Sequence, residues 1–162
     1  MAKVRTILLI LLVMVMAVVS MTATAESELS EVWVLCQPDS FVNVRMHPRK
    51  DSESIGRLEL GDMGYTDGKS KNGFLHIMYP GLECDGWISK GFISRTTVFV
   101  EKIHAKIASR GKVRCRRSVN GTRRKWLKNG SEIIVFGYGD DWAVTDYGFI
   151  QVKFLTWEGK EE

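Results

Sequence analysis

The chain of 162 residues has few prolines, cysteines and histidines, with three of each. No Cys-x-x-Cys pair and no cysteine–histidine cluster is present, which leaves a zinc site little support. His47, His76 and His104 stand apart from any cysteine or serine in a recognised nucleophile setting. No glycine-rich phosphate loop opens a helix either. We therefore expect no cofactor, no metal and no enzymatic activity.

Long apolar runs are also scarce, and the one at the N-terminus has a specific pattern. Lys3 and Arg5 precede the apolar stretch Ile7–Val19, and the small residues Ala23–Ala25 follow it. This order is typical of a signal peptide, so residues 1–25 are predicted to be removed. The mature chain is then expected to be secreted or held in the cell envelope, without stable membrane insertion. An uncleaved N-terminal anchor is the alternative.

Charge is divided unevenly along the chain. Residues 26–99 hold 8 basic and 11 acidic side chains, whereas residues 100–162 hold 13 and 8. The basic excess lies mainly between Lys102 and Lys128 and would attract anionic partners. A solvated basic face is the alternative interpretation. Since export argues against nucleic acid, none is expected as a partner.

The three cysteines all lie in the predicted mature chain, and an odd number leaves at least one thiol unpaired in a monomer. Cys36 and Cys84 could form a disulfide within the first half, with Cys115 as the single thiol. The alternative is three buried thiols that behave as small hydrophobic groups.

Two stretches of the chain repeat. Gly86–Ile93 is echoed by Gly148–Leu155, and Asn43–Arg45 is echoed by Lys112–Arg114. Sixteen residues after the arginine of each short match comes a turn glycine, Gly61 or Gly130. Two landmarks in the same order indicate a duplicated module.

Short β-prone runs separated by turns every few residues predict an all-β chain of small barrels or sandwiches. The duplication then predicts a first domain over 26–97, a connector over 98–110 and a second domain over 111–157. A charged tail, 158–162, follows. In each copy the Gly-aromatic-Ile stretch is expected to be the closing strand.

Four stretches of the first module resemble motifs of the bacterial SH3 domain, SH3b. Val42–Arg45 followed by Pro48 resembles that family's N-V-R-x-x-P opening. Ile55–Asp62 resembles its I-G-x-L-x-x-G-D segment, and Asn72–Ile77 its N-G-W-x-x-V strand with Phe in place of Trp. Gly86–Ile88 is similar to its G-W-V closure.

The second module resembles a degenerate copy, because Val113-Arg114 lacks the following proline and Phe149 replaces tryptophan. The resemblance implies two SH3-like barrels in tandem behind an N-terminal signal-peptide helix. It also implies attachment to cell-wall peptidoglycan or its peptide stems, which is an analogy from fold to function.

Candidate binding residues are aromatic side chains and the basic run, since aromatic rings offer contact area with a polar edge. The aromatic candidates fall into two sets, Phe41, Tyr65, Trp87 and Phe92, and Trp126, Tyr138, Trp142 and Tyr147. The basic candidates are Arg114, Arg116, Arg123 and Arg124. The competing expectation places Trp87, Trp142 and Phe149 in the barrel cores.

These patterns favour a non-catalytic binding protein that recognises cell-wall peptidoglycan or its peptides. The alternative is an interaction module that docks to another exported or envelope protein. The expected partner is accordingly a wall polymer or peptide, or an exported protein.

Overall fold

The structure, a computed structural model, describes residues 28–82, 85–119 and 121–158. The predicted signal peptide and residues 159–162 of the predicted tail lie outside the described residues. The described chain consists of antiparallel strands and two 3-10 turns, which confirms the all-β prediction. No helix within it is long and apolar enough to cross a membrane.

Over the described ranges, the first half has eight strands and one 3-10 turn, and the second half has seven strands and one 3-10 turn. The first half contains β1 (Ser30–Val34), β2 (Val42–Arg45), β3 (Ser54–Leu58), β4 (Met63–Thr66), β5 (Ser70–Lys71), β6 (Phe74–Ile77), β7 (Gly86–Ser89), the turn η1 (Lys90–Phe92) and β8 (Ile93–Ser94). The second half contains β9 (Ile103–Ile107), β10 (Val113–Arg116), β11 (Arg123–Leu127), β12 (Glu132–Tyr138), β13 (Trp142–Thr145), β14 (Gly148–Gln151), the turn η2 (Val152–Phe154) and β15 (Leu155–Thr156).

The two halves use the same pairing pattern. In the first, β1 pairs with β4 and β8, β2 with β3 and β7, and β6 with β7. In the second, β9 pairs with β12 and β15, β10 with β11 and β14, and β13 with β14. The repeat seen in the sequence is therefore a repeat of strand topology, as two SH3-like barrels require.

The halves differ where one hairpin joins the two parts of each barrel. In the second half β12 and β13 form a full ladder, so all seven strands make one sheet. In the first half a single bridge between Tyr65 and Met78 replaces that ladder, and two sheets result. The connection within this hairpin also differs in length, since residues 67–73 join β4 to β6 whereas residues 139–141 join β12 to β13.

Strand register corrects one detail of the repeat. Arg45 pairs with Trp87, and Arg116 pairs with Phe149, which makes Arg116 the counterpart of Arg45. The sequence match had pointed to Arg114. The shift arises because the loop between β10 and β11 is shorter by two residues than the loop between β2 and β3.

The glycine of the repeated Gly-aromatic-Ile stretch is needed for close strand packing. Gly148 has a φ of +114°, and a Cβ there would overlap the carbonyl oxygen of Arg116. At Gly86 a Cβ would overlap the side chain of Val44. In both copies glycine lets the strand lie against the strand that carries the paired arginine.

Each half has its own core, and a third apolar cluster joins them. The first core contains Val32, Val34, Cys36, Val42, Val44, Leu58, Leu75, Ile77 and Ile88. The second contains Ala105, Ile107, Val113, Cys115, Leu127, Ile133, Val135, Ala143, Ile150 and Leu155. The joining cluster contains Leu35, Val98, Val119, Val144 and Phe149, with Phe92 and Trp142 packed against it.

The expectation that three aromatic side chains fill the barrel cores is wrong. Trp87 and Trp142 are only half-buried, and Phe149, although buried, belongs to the joining cluster. Because neighbouring residues of a strand face opposite sides, the following isoleucines, Ile88 and Ile150, enter the cores instead.

Two other expectations differ from the strand layout. The stretch Gly86–Ser89 is not the last strand of its half, since β8 follows the η1 turn and pairs with β1. The segment 98–110, expected to be a connector, contains β9, which pairs with both β12 and β15. The exact domain bounds stay predictions.

Candidate functional site

An irregularity in the β10–β11 pair positions the basic side chains of the second half. Arg114 lies opposite Trp126 and Cys115 opposite Lys125, but Arg116 then lies opposite Arg123. Arg124 is skipped, which is a β-bulge. Simple alternation would turn Arg123 to the opposite face from Trp126. The bulge turns it back toward that ring.

Two arginine side chains lie against the exposed indole of Trp126. The guanidinium carbons of Arg114 and Arg123 lie 5.3 and 5.4 Å from the ring centre of Trp126. Trp126 remains 42% exposed. A guanidinium held by an aromatic ring still has N–H groups directed outward for a carboxylate or phosphate. The strand pair therefore presents two oriented cations beside an exposed aromatic ring.

A second cation and ring pair extends this surface. Arg116 lies 5.7 Å from the ring centre of Trp142 on β13, and its Nη1 donates a hydrogen bond to the carbonyl of Gly121 at 3.2 Å. Between the two pairs lies a cleft of about 240 Å³, here called the Arg–Trp groove. Its lining residues are Lys112, Val113, Arg114, Arg116, Trp126, Trp142, Gln151 and Phe154.

The Arg–Trp groove is electropositive, because its lining contains three basic side chains and no carboxylate. Arg123 adds a further charge at its edge. Four of the candidates named from the sequence thus line one groove: Arg114, Arg116, Trp126 and Trp142. Such an arrangement can bind an anionic ligand that also presents an apolar face.

The remaining candidates of the second half lie elsewhere. Tyr147 has the ammonium of Lys125 4.2 Å from its ring centre. Tyr138 packs between Phe99 and Trp157, with ring centres 5.4 and 5.2 Å away. Arg124 is the bulge residue and is exposed.

The first-half candidates are dispersed over different elements. Phe41 is 45% exposed and has Arg57 stacked 4.3 Å from its ring centre. Tyr65 lies on β4, opposite Glu31 of β1. Trp87 lies on β7 in the other sheet.

Phe92 is directed toward the second half, where its ring meets Phe149 edge-on at 6.0 Å between centres. The aromatic candidates of the first half therefore stand on separate strands or in the joining cluster.

The described thiols are unsuited to nucleophilic chemistry. Cys36 and Cys115 are buried, and neither is bonded to another of the described cysteines. Burial raises the pKa of each thiol to about 11, so both stay protonated near neutral pH. Cys84 lies outside the described residues, and its predicted pairing with Cys36 stays a prediction.

A polar cluster on the first half was missed by the sequence analysis. The side chain of Asp67 is 7% exposed, with an oxygen 2.7 Å from Nζ of Lys69 and 3.1 Å from Nδ1 of His76. Trp87 packs on the His76 ring at 5.0 Å between centres. The Asn72-Gly73 pair predicts a hairpin turn, and a hairpin centred there places Lys69 opposite His76. That pairing is the sequence signal from which the polar cluster could have been found.

This cluster perturbs its carboxyl group. Burial alone would raise the pKa of Asp67, but hydrogen bonds from the Lys69 side chain and backbone, with His76 nearby, lower it to about 2. Within the described ranges no three His, Cys, Asp or Glu side chains gather as metal ligands would. The cluster is thus a charged pair with a histidine beside it.

No protein-family model matches the chain, and no curated protein matches it. The chain is similar to the solved structure of NlpC1 from Trichomonas vaginalis at 16% identity and a TM-score of 0.38, over 86% of this chain and 49% of that one. It is similar to NlpC2 from the same organism at 15% identity and a TM-score of 0.37, over 85% of this chain and 52% of that one. The chain spans about half the length of both, and likeness at this level says nothing about what it binds.

Proposed function

We propose that this protein is an exported, non-catalytic binding protein that recognises cell-wall peptidoglycan or its peptides. The observation that carries the proposal is the Arg–Trp groove, in which arginine guanidinium groups lie against two indole rings. The SH3b-like motifs of the first module favour the same class of ligand.

The groove chemistry suits a peptide-bearing sugar polymer. An exposed indole such as Trp126 offers a flat apolar face for the C–H side of a sugar or an alkyl side chain. Arginine pairs with carboxylates through two parallel hydrogen bonds, and stem peptides carry such carboxylates. The basic side chains of the second half would add salt-dependent attraction to anionic wall polymers.

A non-catalytic role agrees with the ionisable groups available. The groove lining lacks a carboxylate that could act as acid or base. The protonated thiols of Cys36 and Cys115 lie in the barrel cores, away from ligands. Binding is accordingly the activity proposed for this chain.

Co-sedimentation of the mature protein with purified sacculi tests the proposal. Replacing Arg114 and Arg116 by Gln should lower the affinity about tenfold, since each removes a charged hydrogen-bond donor. Arg57→Gln is the matched control, because Arg57 is a stacked arginine on the corresponding strand pair of the first half. Equal retention of the double variant and the unmodified protein would refute the proposal.

Docking to another exported protein is the second candidate. Phe99 and Val100 favour it, because they are 54% and 59% exposed on the segment before β9. Replacing both with Ser should abolish co-purification of one stoichiometric envelope protein while sacculus retention is unchanged.

A further inference from the structure

A second cleft lies between the two halves of the molecule. It measures about 260 Å³ and is here called the inter-barrel cleft. The first half contributes Lys90 from η1 and Arg95 and Thr96 from the segment after β8, and the second half contributes Asp141 and Trp142. Neither half alone forms this space.

Hydrogen bonds between the halves hold the cleft in shape. The backbone N–H of Val119 donates to the carbonyl of Gly91 at 2.8 Å. The N–H of Asp140 donates to Oγ1 of Thr96 at 3.1 Å. The joining cluster packs beneath these bonds, so the cleft is formed before a ligand arrives, as small-molecule sites usually are.

The inter-barrel cleft contains charged side chains of both signs, and these charges are not neutralised by ion pairs within the described residues. Lys90 and Arg95 are cationic and Asp141 is anionic, and all three are exposed. Within the described part of the chain none of them forms an ion pair. A purely anionic ligand would be repelled by Asp141, and a purely cationic one by Lys90 and Arg95. A ligand with both charges satisfies all three.

We propose that the inter-barrel cleft binds a small zwitterion, namely an amino acid or dipeptide with a free ammonium and a free carboxylate. Lys90 and Arg95 would receive the carboxylate, and Asp141 the ammonium. The cleft of about 260 Å³ has room for a ligand of this size.

Trp142 extends the proposal toward the Arg–Trp groove, because it lines both spaces. A longer peptide can place its terminal residue in the inter-barrel cleft and continue past Trp142 into the groove. The inference otherwise uses different side chains from the proposed function, so the two can fail separately.

Calorimetric titration with D-alanyl-D-alanine tests the zwitterion site directly. The free dipeptide should bind saturably, and its N-acetylated and its C-amidated forms should each bind about tenfold more weakly, since each loses one charged contact. Equal binding of the free and blocked forms, or no saturable binding into the millimolar range, would overturn the proposal.

Variants assign the two ends of the ligand. Asp141→Asn should weaken the free dipeptide about tenfold and leave the N-acetylated form unchanged. Asp140→Asn is the matched control, because this neighbouring carboxylate does not line the cleft. An Asp140 variant as defective as the Asp141 variant would contradict the assignment. Arg114→Gln should not affect the dipeptide, whatever its effect on sacculi.

Discussion

Asp67 shows how a single carboxylate can be buried on the surface of a small barrel. Removing a charged group from water is unfavourable unless opposite charges and hydrogen bonds replace the lost hydration. Lys69 supplies both, through its ammonium at 2.7 Å and its backbone N–H at 3.0 Å from the carboxylate oxygens. The net result is a pKa of about 2, below the ordinary 3.8.

We predict that Asp67 makes the fold sensitive to acid. Because folding lowers the pKa of Asp67, its ionised carboxylate stabilises the folded protein at pH values above the ordinary pKa of 3.8. That stabilisation is lost as the pH falls from about 4 to about 2. Asp67→Asn should therefore cost about 1 kcal/mol near pH 7, because the partner Lys69 is largely solvated. It should also flatten the pH dependence of the urea midpoint in the acid range.

Asp39→Asn is the control for this measurement, since Asp39 is an exposed turn residue. Its acid transition should match that of the unmodified protein. If the Asp67 variant keeps the full loss of stability between pH 4 and pH 2, the assignment to Asp67 is wrong.

Single residues were predictable from the sequence at positions where the backbone conformation alone determines which residue type fits. Gly61 and Gly130, predicted as turn glycines, have φ of +88° and +74°, where a Cβ would be strained. Trp142 was named as a candidate from the sequence, but its half-buried position between two clefts was not predictable, because those clefts form only when distant strands meet. A sequence pattern reports on local conformation and face, whereas such a site depends on tertiary contacts.

At the scale of elements, both halves bulge at the same point of the same strand pair. Ile55 is skipped between β2 and β3, and Arg124 is skipped between β10 and β11. Short β-prone runs in the sequence predicted the strands, but a skipped residue leaves no mark in such a run. Trp126 and Arg123 could therefore be assigned to the same strand from sequence, but not to the same face.

We predict that the face occupied by Arg123, and not the bulge itself, shapes the Arg–Trp groove. Deleting Arg124 removes the bulged residue and places Arg123 two positions before Trp126, on the same face, so sacculus binding should fall less than threefold, as expected for the loss of an exposed charge. Arg123→Gln removes the cation beside the ring but keeps the register, so it should weaken binding about tenfold. Thermal unfolding of both variants checks that the barrel persists, and equal binding by the two would contradict a role for Arg123.

Among the described residues, three apolar clusters hold the molecule together, and one of them belongs to neither barrel. Small domains bury a limited share of their surface, so each barrel gains stability from the cluster between them. Gln37 adds a hydrogen bond from its Nε2 to the carbonyl of Thr145 at 3.2 Å. The tandem arrangement was anticipated from the repeat, but the joining cluster was not, because its members come from both copies and match no shared motif.

We predict that the two halves unfold as one unit because the side chain of Phe92 couples them through the joining cluster. The calorimetric and van't Hoff enthalpies should agree for the unmodified protein. Phe92→Ala removes a half-buried ring from the joining cluster, should cost about 2 kcal/mol and should split the transition in two. Phe154→Ala is the matched control, since Phe154 occupies the same place in η2 but packs on the core of its own barrel. That variant should melt earlier in a single transition, and a single transition for Phe92→Ala as well would show that the cluster does not couple the halves.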